Sequence, residues 1–130
     1  MAQFQKHYTL KEARDTLPWL RAQFAQIHHL LEELQEEDIN NQQQEIMLYK
    51  NGNTPEPIPS KDTQSRTEEL KRLIEEILAR SILIKDLNTG LIDFPHWREE
   101  KEVLLCWQSG EEDISFWHTL EDGFAGRQPL

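Results

Sequence analysis

Six apolar residues near the start of the chain, Leu17, Leu20, Phe24, Ile27, Leu31 and Leu34, follow one another at alternating spacings of three and four. That spacing puts them on one seam of a helix, and a seam of this kind needs a partner helix to cover it. Beyond Leu34 the same positions become Asp38, Asn41 and Glu45, so the seam turns polar where EELQEEDINNQQQE begins. Ile46, Met47 and Leu48 restore a small apolar patch. The partner follows in the sequence. Leu70, Leu73, Ile74, Ile77 and Leu78 form a second amphipathic stripe, beyond the proline-containing stretch KNGNTPEPIPSKDTQ. That stretch reads as a linker or loop. The two stripes predict an antiparallel helical hairpin over about residues 9–80, with a polar tip at about 38–62.

At the front of the hairpin, Thr9-Leu10-Lys11-Glu12 has the form of a capping box. Pro18 lacks an N–H and clashes with the preceding turn. The expectation is therefore a short first helix ending near Asp15, and a second one capped by Thr16 with Pro18 in its first turn.

After Ser81 the apolar period changes to two. ILIKD and LIDF flank Asn88-Thr89-Gly90, a turn with glycine placed for a positive φ. Ile82–Leu87 and Leu91–Phe94 then form a hairpin ended by Pro95, with Lys85 opposite Asp93 and with Ile82, Ile84, Ile92 and Phe94 facing the helices. EVLLCWQ and DISFWH form a second hairpin around Ser109-Gly110-Glu111-Glu112. The fold expected is α+β in a single domain of residues 1–130: a helical hairpin, a small four-stranded antiparallel β-meander over about 82–118, and a tail over 119–130.

Charge narrows the partners. The 130 residues carry 24 acidic and 14 basic side chains, a formal net charge of −10. Nucleic acid calls for a basic footprint, and none is visible. Anionic membrane surfaces repel such a chain, and no run approaches the roughly 20 apolar residues of a bilayer span. MAQFQKHYTL has no apolar signal-peptide core, and a single cysteine makes no internal disulfide. A cytoplasmic location is expected. A protein partner is compatible with these features, and the outer groove of a helical hairpin leaves room for a homodimer as well as a monomer.

Three segments resemble a known family. YTLKEARDTLPWL at the start, IKDLNTGLIDFP in the middle and LLCW-x-x-GE-x-x-I-x-FWH followed by GFAGRQPL at the end are similar to the bacterial family called domain of unknown function 2203. The resemblance covers nearly the whole chain apart from the polar stretch between about Gln35 and Thr67. Members tend to carry a glycine in the turn before the LCW strand. Here that turn reads WREEKE, which leaves the register of the strand open. The resemblance implies a small intracellular bacterial protein with no established activity, and it supplies no catalytic residues.

The residues that carry chemistry crowd into the last quarter. Cys106 and His118 offer a thiolate and an imidazole, ligands for zinc and other borderline-soft metals or a nucleophile–base pair. Register decides between two outcomes. If Cys106 pairs with Phe116 or Ile114, it shares a sheet face with His118; if it pairs with Ser115, the two lie on opposite faces. No CxxC, HxH or HExxH spacing supports a metal, and cysteine is a common core residue, so packing is the favoured reading. Asp86 and Asp93 flank the first hairpin; they face opposite ways in the expected register, Asp93 toward Lys85 and Asp86 toward the turn. Trp107 and Trp117 read either as a binding platform or as core, and Trp97 as a loop aromatic. Arg127 can hold an anionic ligand or one of the chain's own carboxylates, Asp86, Asp93 or Glu111, the second being preferred.

No phosphate loop, nucleotide fingerprint or nucleophile motif appears, and the residues name no cofactor. The functional reading is a non-enzymatic interaction or accessory protein acting through its helical hairpin or sheet face. The alternative is a small metal- or ligand-binding protein, with enzymatic activity left open, using Cys106 and His118 as metal ligands and Asp86, Asp93, Trp107 and Arg127 as ligand-binding residues. Convergence of these side chains on one concave site favours the alternative.

Overall fold

The computed structural model describes residues 2–50 and 60–130, with the backbone alone for 38–50. Two helices, α1 (Leu10–Lys50) and α2 (Lys61–Leu78), precede five strands: β1 (Leu83–Asp86), β2 (Leu91–Arg98), β3 (Lys101–Gln108), β4 (Phe116–Thr119) and β5 (Gln128–Pro129). The strands form one antiparallel sheet in sequence order. The α+β class and the meander are as the periodicities require. The fifth strand goes beyond the four expected, because the tail folds back and Leu130 N–H donates to Ser115 O. The chain divides into two compact units, one of residues Met1–Phe24 with Glu75–Leu130, the other of Ala25–Ile74.

Within the first unit, the capping box forms as read. Thr9 Oγ1 accepts from Glu12 N–H, and Glu12 Oε1 accepts from Thr9 N–H, both at 3.0 Å. The expected break at Pro18 does not occur; α1 runs through it. Proline there removes one helical hydrogen bond, to the carbonyl of Arg14. Ala13, Leu17, Leu20 and Phe24 lie buried on both sides of it, and packing of that continuous stripe outweighs the lost bond. Thr16 accordingly caps nothing: its hydroxyl donates to Glu12 O inside the helix. Gln23 Nε2 donates to Glu76 of α2 at 2.9 Å.

In the second unit, α2 begins at Lys61, several residues before the expected start, because Ser60 Oγ accepts from Thr63 N–H and caps it. Arg66 bridges Glu33 and Glu37, and Thr63 bonds Glu37. Partners that descend on α1 and ascend on α2 make this segment antiparallel. Ile27, Leu30 and Leu73 are buried, Leu31 and Leu34 half-buried. Leu78, expected in the stripe, is half exposed. The Ile46–Leu48 patch and most of the polar tip lie outside the described side chains.

Strand details differ from the sequence reading at three points. Asp93 pairs with Leu83 rather than Lys85, because the turn takes in Leu87, so that Asp86 meets Leu91, and a bulge between Ile84 and Asp86 then leaves Lys85 unpaired. Pro95 does not end β2, which continues to Arg98. Since β1 reaches only to Asp93, Pro95 lies beyond the two-sided part of the sheet, where its missing N–H costs least. The stretch around Trp97 is strand and not loop. β2 and β3 are joined by Glu99 and Glu100 alone, both left-handed at φ 49° and 65°, the conformation a glycine would take without strain.

Paired residues of antiparallel strands share a face. Phe94, Leu105 and Trp107 lie on the face that packs on the N-terminal part of the chain. The Phe24 and Trp107 rings are 6.4 Å apart, the Tyr8 and Phe94 rings 4.9 Å. The opposite face carries Asp93, Leu104, Cys106 and His118 and lies against the tail residues 120–124.

Candidate metal centre

Register settles where the thiol and imidazole stand. Cys106 pairs with Phe116 and His118 with Leu104, so Cys106 and His118 share a face, and Asp93 directly opposite Cys106 joins them. All three are buried, at 1–3 % exposure. One ligand atom from each lies within 4.8 Å of the others. Val103–Trp107 is buried at every position, which is the physical meaning of the unbroken apolar run VLLCW: this strand is covered on both faces.

Hydrogen bonding fixes the imidazole. His118 Nδ1 is 2.7 Å from Thr119 O, and a carbonyl only accepts, so Nδ1 carries the proton and donates. Nε2 then faces Asp93 Oδ1 at 3.0 Å, with one proton between ring and carboxylate. A ring whose Nδ1–H is held by a backbone carbonyl presents Nε2 for ligation, the arrangement usual for metal-binding histidine. Burial first, and then the Asp93 charge, push the Cys106 thiol up to about 12, against the pull of Arg127. Cys106 in this state is a neutral thiol beside Asp93, which removes it from nucleophilic work on its own.

A cation of zinc type holds N, O and S ligands with bonds of about 2.0–2.3 Å, so neighbouring ligand atoms in a tetrahedron sit about 3.5 Å apart. Side-chain rotation on the order of 1 Å closes the set, and the ion replaces two protons: the one shared by His118 and Asp93, and the one on Cys106. Three protein ligands leave a fourth position open. A cavity of about 240 Å³, lined by these three residues with Lys85, Glu121 and Asp122 among others, adjoins them.

The other residues singled out in the sequence stand elsewhere. Asp86 caps the first turn, its Oδ1 accepting from Asn88 N–H at 3.0 Å, and does not line the cavity. Trp107 is fully buried on the opposite face and donates Nε1–H to Glu111 O at 3.1 Å; it is core, not a binding platform. Arg127 is tied to Glu111, at 2.9 and 2.8 Å, and its guanidinium lies over the Phe116 and Phe124 rings. Phe124 is exposed. Trp97 is exposed on one side and stacks on His7, ring centroids 4.4 Å apart. Sequence reasoning set Asp93 apart from Cys106 and His118 because it paired it with Lys85. The signal that joins them was an acidic residue inside the apolar strand LIDF, where a charge must find a buried partner. Nothing in the sequence marked Leu120–Asp122 as a cavity wall.

The fold and this cluster together define a small α+β protein with a buried mixed oxygen, sulfur and nitrogen donor set on the tail-covered face of its sheet. The chain belongs to the family described as uncharacterized conserved protein (DUF2203), whose model matches residues 6–130. No curated protein and no solved structure matches it. No helix among the described residues is long and apolar enough to cross a membrane.

Proposed function

We propose that this protein binds a divalent metal ion of zinc type through Asp93, Cys106 and His118, as an accessory protein of the cell interior. The observation that carries the reading is the convergence of three different ligand atoms within 4.8 Å at a buried point, beside a cavity and with the imidazole tautomer already set by Thr119 O. A set of carboxylate, thiol and imidazole suits zinc, cobalt or iron better than calcium or magnesium, which prefer oxygen alone. The acidic charge and the single free cysteine support a reducing, cytoplasmic setting. Arg127 belongs to the scaffold on this reading. Its bond to Glu111 holds the tail that covers the site. The stripes of α1 and α2 support a protein partner or a second copy as the route by which the accessory role is exercised.

The test is the metal content of the untagged full-length protein, purified under reducing conditions and measured by elemental mass spectrometry, followed by competition for zinc against a chromogenic chelator. The expected result is near-stoichiometric transition metal, lost in Cys106→Ser and in His118→Leu while the circular dichroism of the fold is kept. Metal-free protein that fails to compete for added zinc overturns the proposal.

A further inference from the structure

The fourth coordination position opens on space that is larger than a water site. A water molecule occupies roughly 30 Å³ in the liquid, whereas the cavity measures about 240 Å³. Closed structural sites fill their fourth position with protein; a three-ligand site facing a cavity takes an exchangeable ligand. Charge indicates which kind. A divalent ion with one carboxylate, one thiolate and a neutral imidazole is a neutral unit. Lys85, the unpaired residue of the β1 bulge, adds a positive charge to the cavity wall. Its ammonium has no hydrogen bond or ion pair to another described residue, although Glu121 and Asp122 line the same cavity. Lys85 is exposed at the rim of the cavity, and a lysine without an ion pair beside an open metal position offers one half of an anion site.

We infer that the cavity admits a small oxyanion, a carboxylate or phosphate, that gives one oxygen to the metal and another to Lys85. The inference rests on the metal-binding reading above. Its competitor is internal: Glu121 or Asp122, both exposed residues of the tail, could supply the fourth ligand instead.

Cobalt(II) loaded into the full-length protein separates these cases. A thiolate-to-cobalt charge-transfer absorption reports Cys106 ligation, and the visible d–d bands report the fourth ligand. Acetate and inorganic phosphate are titrated in turn, with sodium perchlorate at matched ionic strength as the non-coordinating control. The expected result is a saturable shift of the d–d bands with one or both anions and none with perchlorate, the stronger of the two identifying the class. Lys85→Ala weakens that binding about tenfold, the usual loss for one charge-assisted hydrogen bond. The double variant Glu121→Gln, Asp122→Asn keeps the anion-free spectrum. Bands that ignore both anions, or an anion-free spectrum changed in the double variant, overturn the inference and leave the metal site standing. Absence of the charge-transfer absorption removes the metal site itself, and the anion site with it.

Discussion

Replacing His118 with leucine in the metal-free protein tests the central pair directly. The His118 and Asp93 side chains are 3 % and 2 % exposed and joined at 3.0 Å. Leucine removes the ring and leaves Asp93 buried without the one side-chain hydrogen bond that holds it among the described residues. An orphaned carboxylate either stays charged in a dry site or takes up a proton, and the cheaper route sets the cost. Breaking a buried pair by removing one partner typically costs about 3–5 kcal/mol. Urea denaturation in the presence of a chelator should show a loss of about 3–4 kcal/mol. The reference is Asp93→Leu with His118→Leu, which leaves no charge to orphan and should recover the whole loss. If the single variant is as stable as the double, Asp93 does not depend on His118 and the description of the pair is wrong.

Three further outcomes follow from particular contacts. Cys106, pushed up to about 12 from an ordinary 9.0 by burial and Asp93, should carry about a thousandfold less thiolate at a given pH than the unfolded chain, so alkylation of the metal-free native protein should be limited by opening and should speed up sharply in urea. Glu102 accepts from the Gln3 and Phe4 amides and from His7 at 2.7, 3.0 and 2.6 Å. Against its burial, these bonds hold its carboxyl below the ordinary value, so its contribution is complete above that value and is lost as pH falls through the lowered one; hydrogen exchange at the Gln3 and Phe4 amides should accelerate over that acid range, and Glu102→Gln should abolish the pH dependence. Gly90, at φ +71°, would place a Cβ 2.6 Å from Ser109 Cβ, so Gly90→Ala should cost about 1–3 kcal/mol in urea denaturation, and an unchanged midpoint would show that the turn relaxes freely.

What could be read from the sequence was whatever local periodicity determines. The three-and-four spacing from Leu17 to Ile27 and the alternation after Ser81 gave the helices and the meander, because each needs only neighbours within a turn or a strand. Pro18 and Pro95 were misread for one reason: a rule about a single residue was applied where buried neighbours on both sides, or the short reach of β1, decide the balance. The Lys85 register failed because the turn takes in Leu87 and a bulge then adds a second residue, with no glycine or proline to announce it. The candidate site depended on that register and on the Cys106–Phe116 pairing, so the residue types were visible while their meeting point was not. Glu99 and Glu100 show the same limit: both take left-handed angles because a two-residue connection between β2 and β3 requires them, whatever their own preference.

The Asp93–Cys106–His118 cluster is an inefficient way to hold a sheet together. A buried ion pair gains little over apolar residues of similar volume, and replacing one with such residues is often neutral or stabilising by 1–4 kcal/mol. Leu104, Leu105 and Trp107 already supply an apolar core along the same strand, and Arg127 with Glu111 already fastens the tail. Fold stability therefore gives no reason for a carboxylate, a thiol and an imidazole to meet beneath the tail. A ligand that draws energy from all three does. The apolar double variant at positions 93 and 118 separates the two requirements. On this argument it should match or exceed the metal-free wild type in stability while losing all affinity for zinc or cobalt, whereas a cluster kept for folding would lose stability in the double variant as well as in each single one.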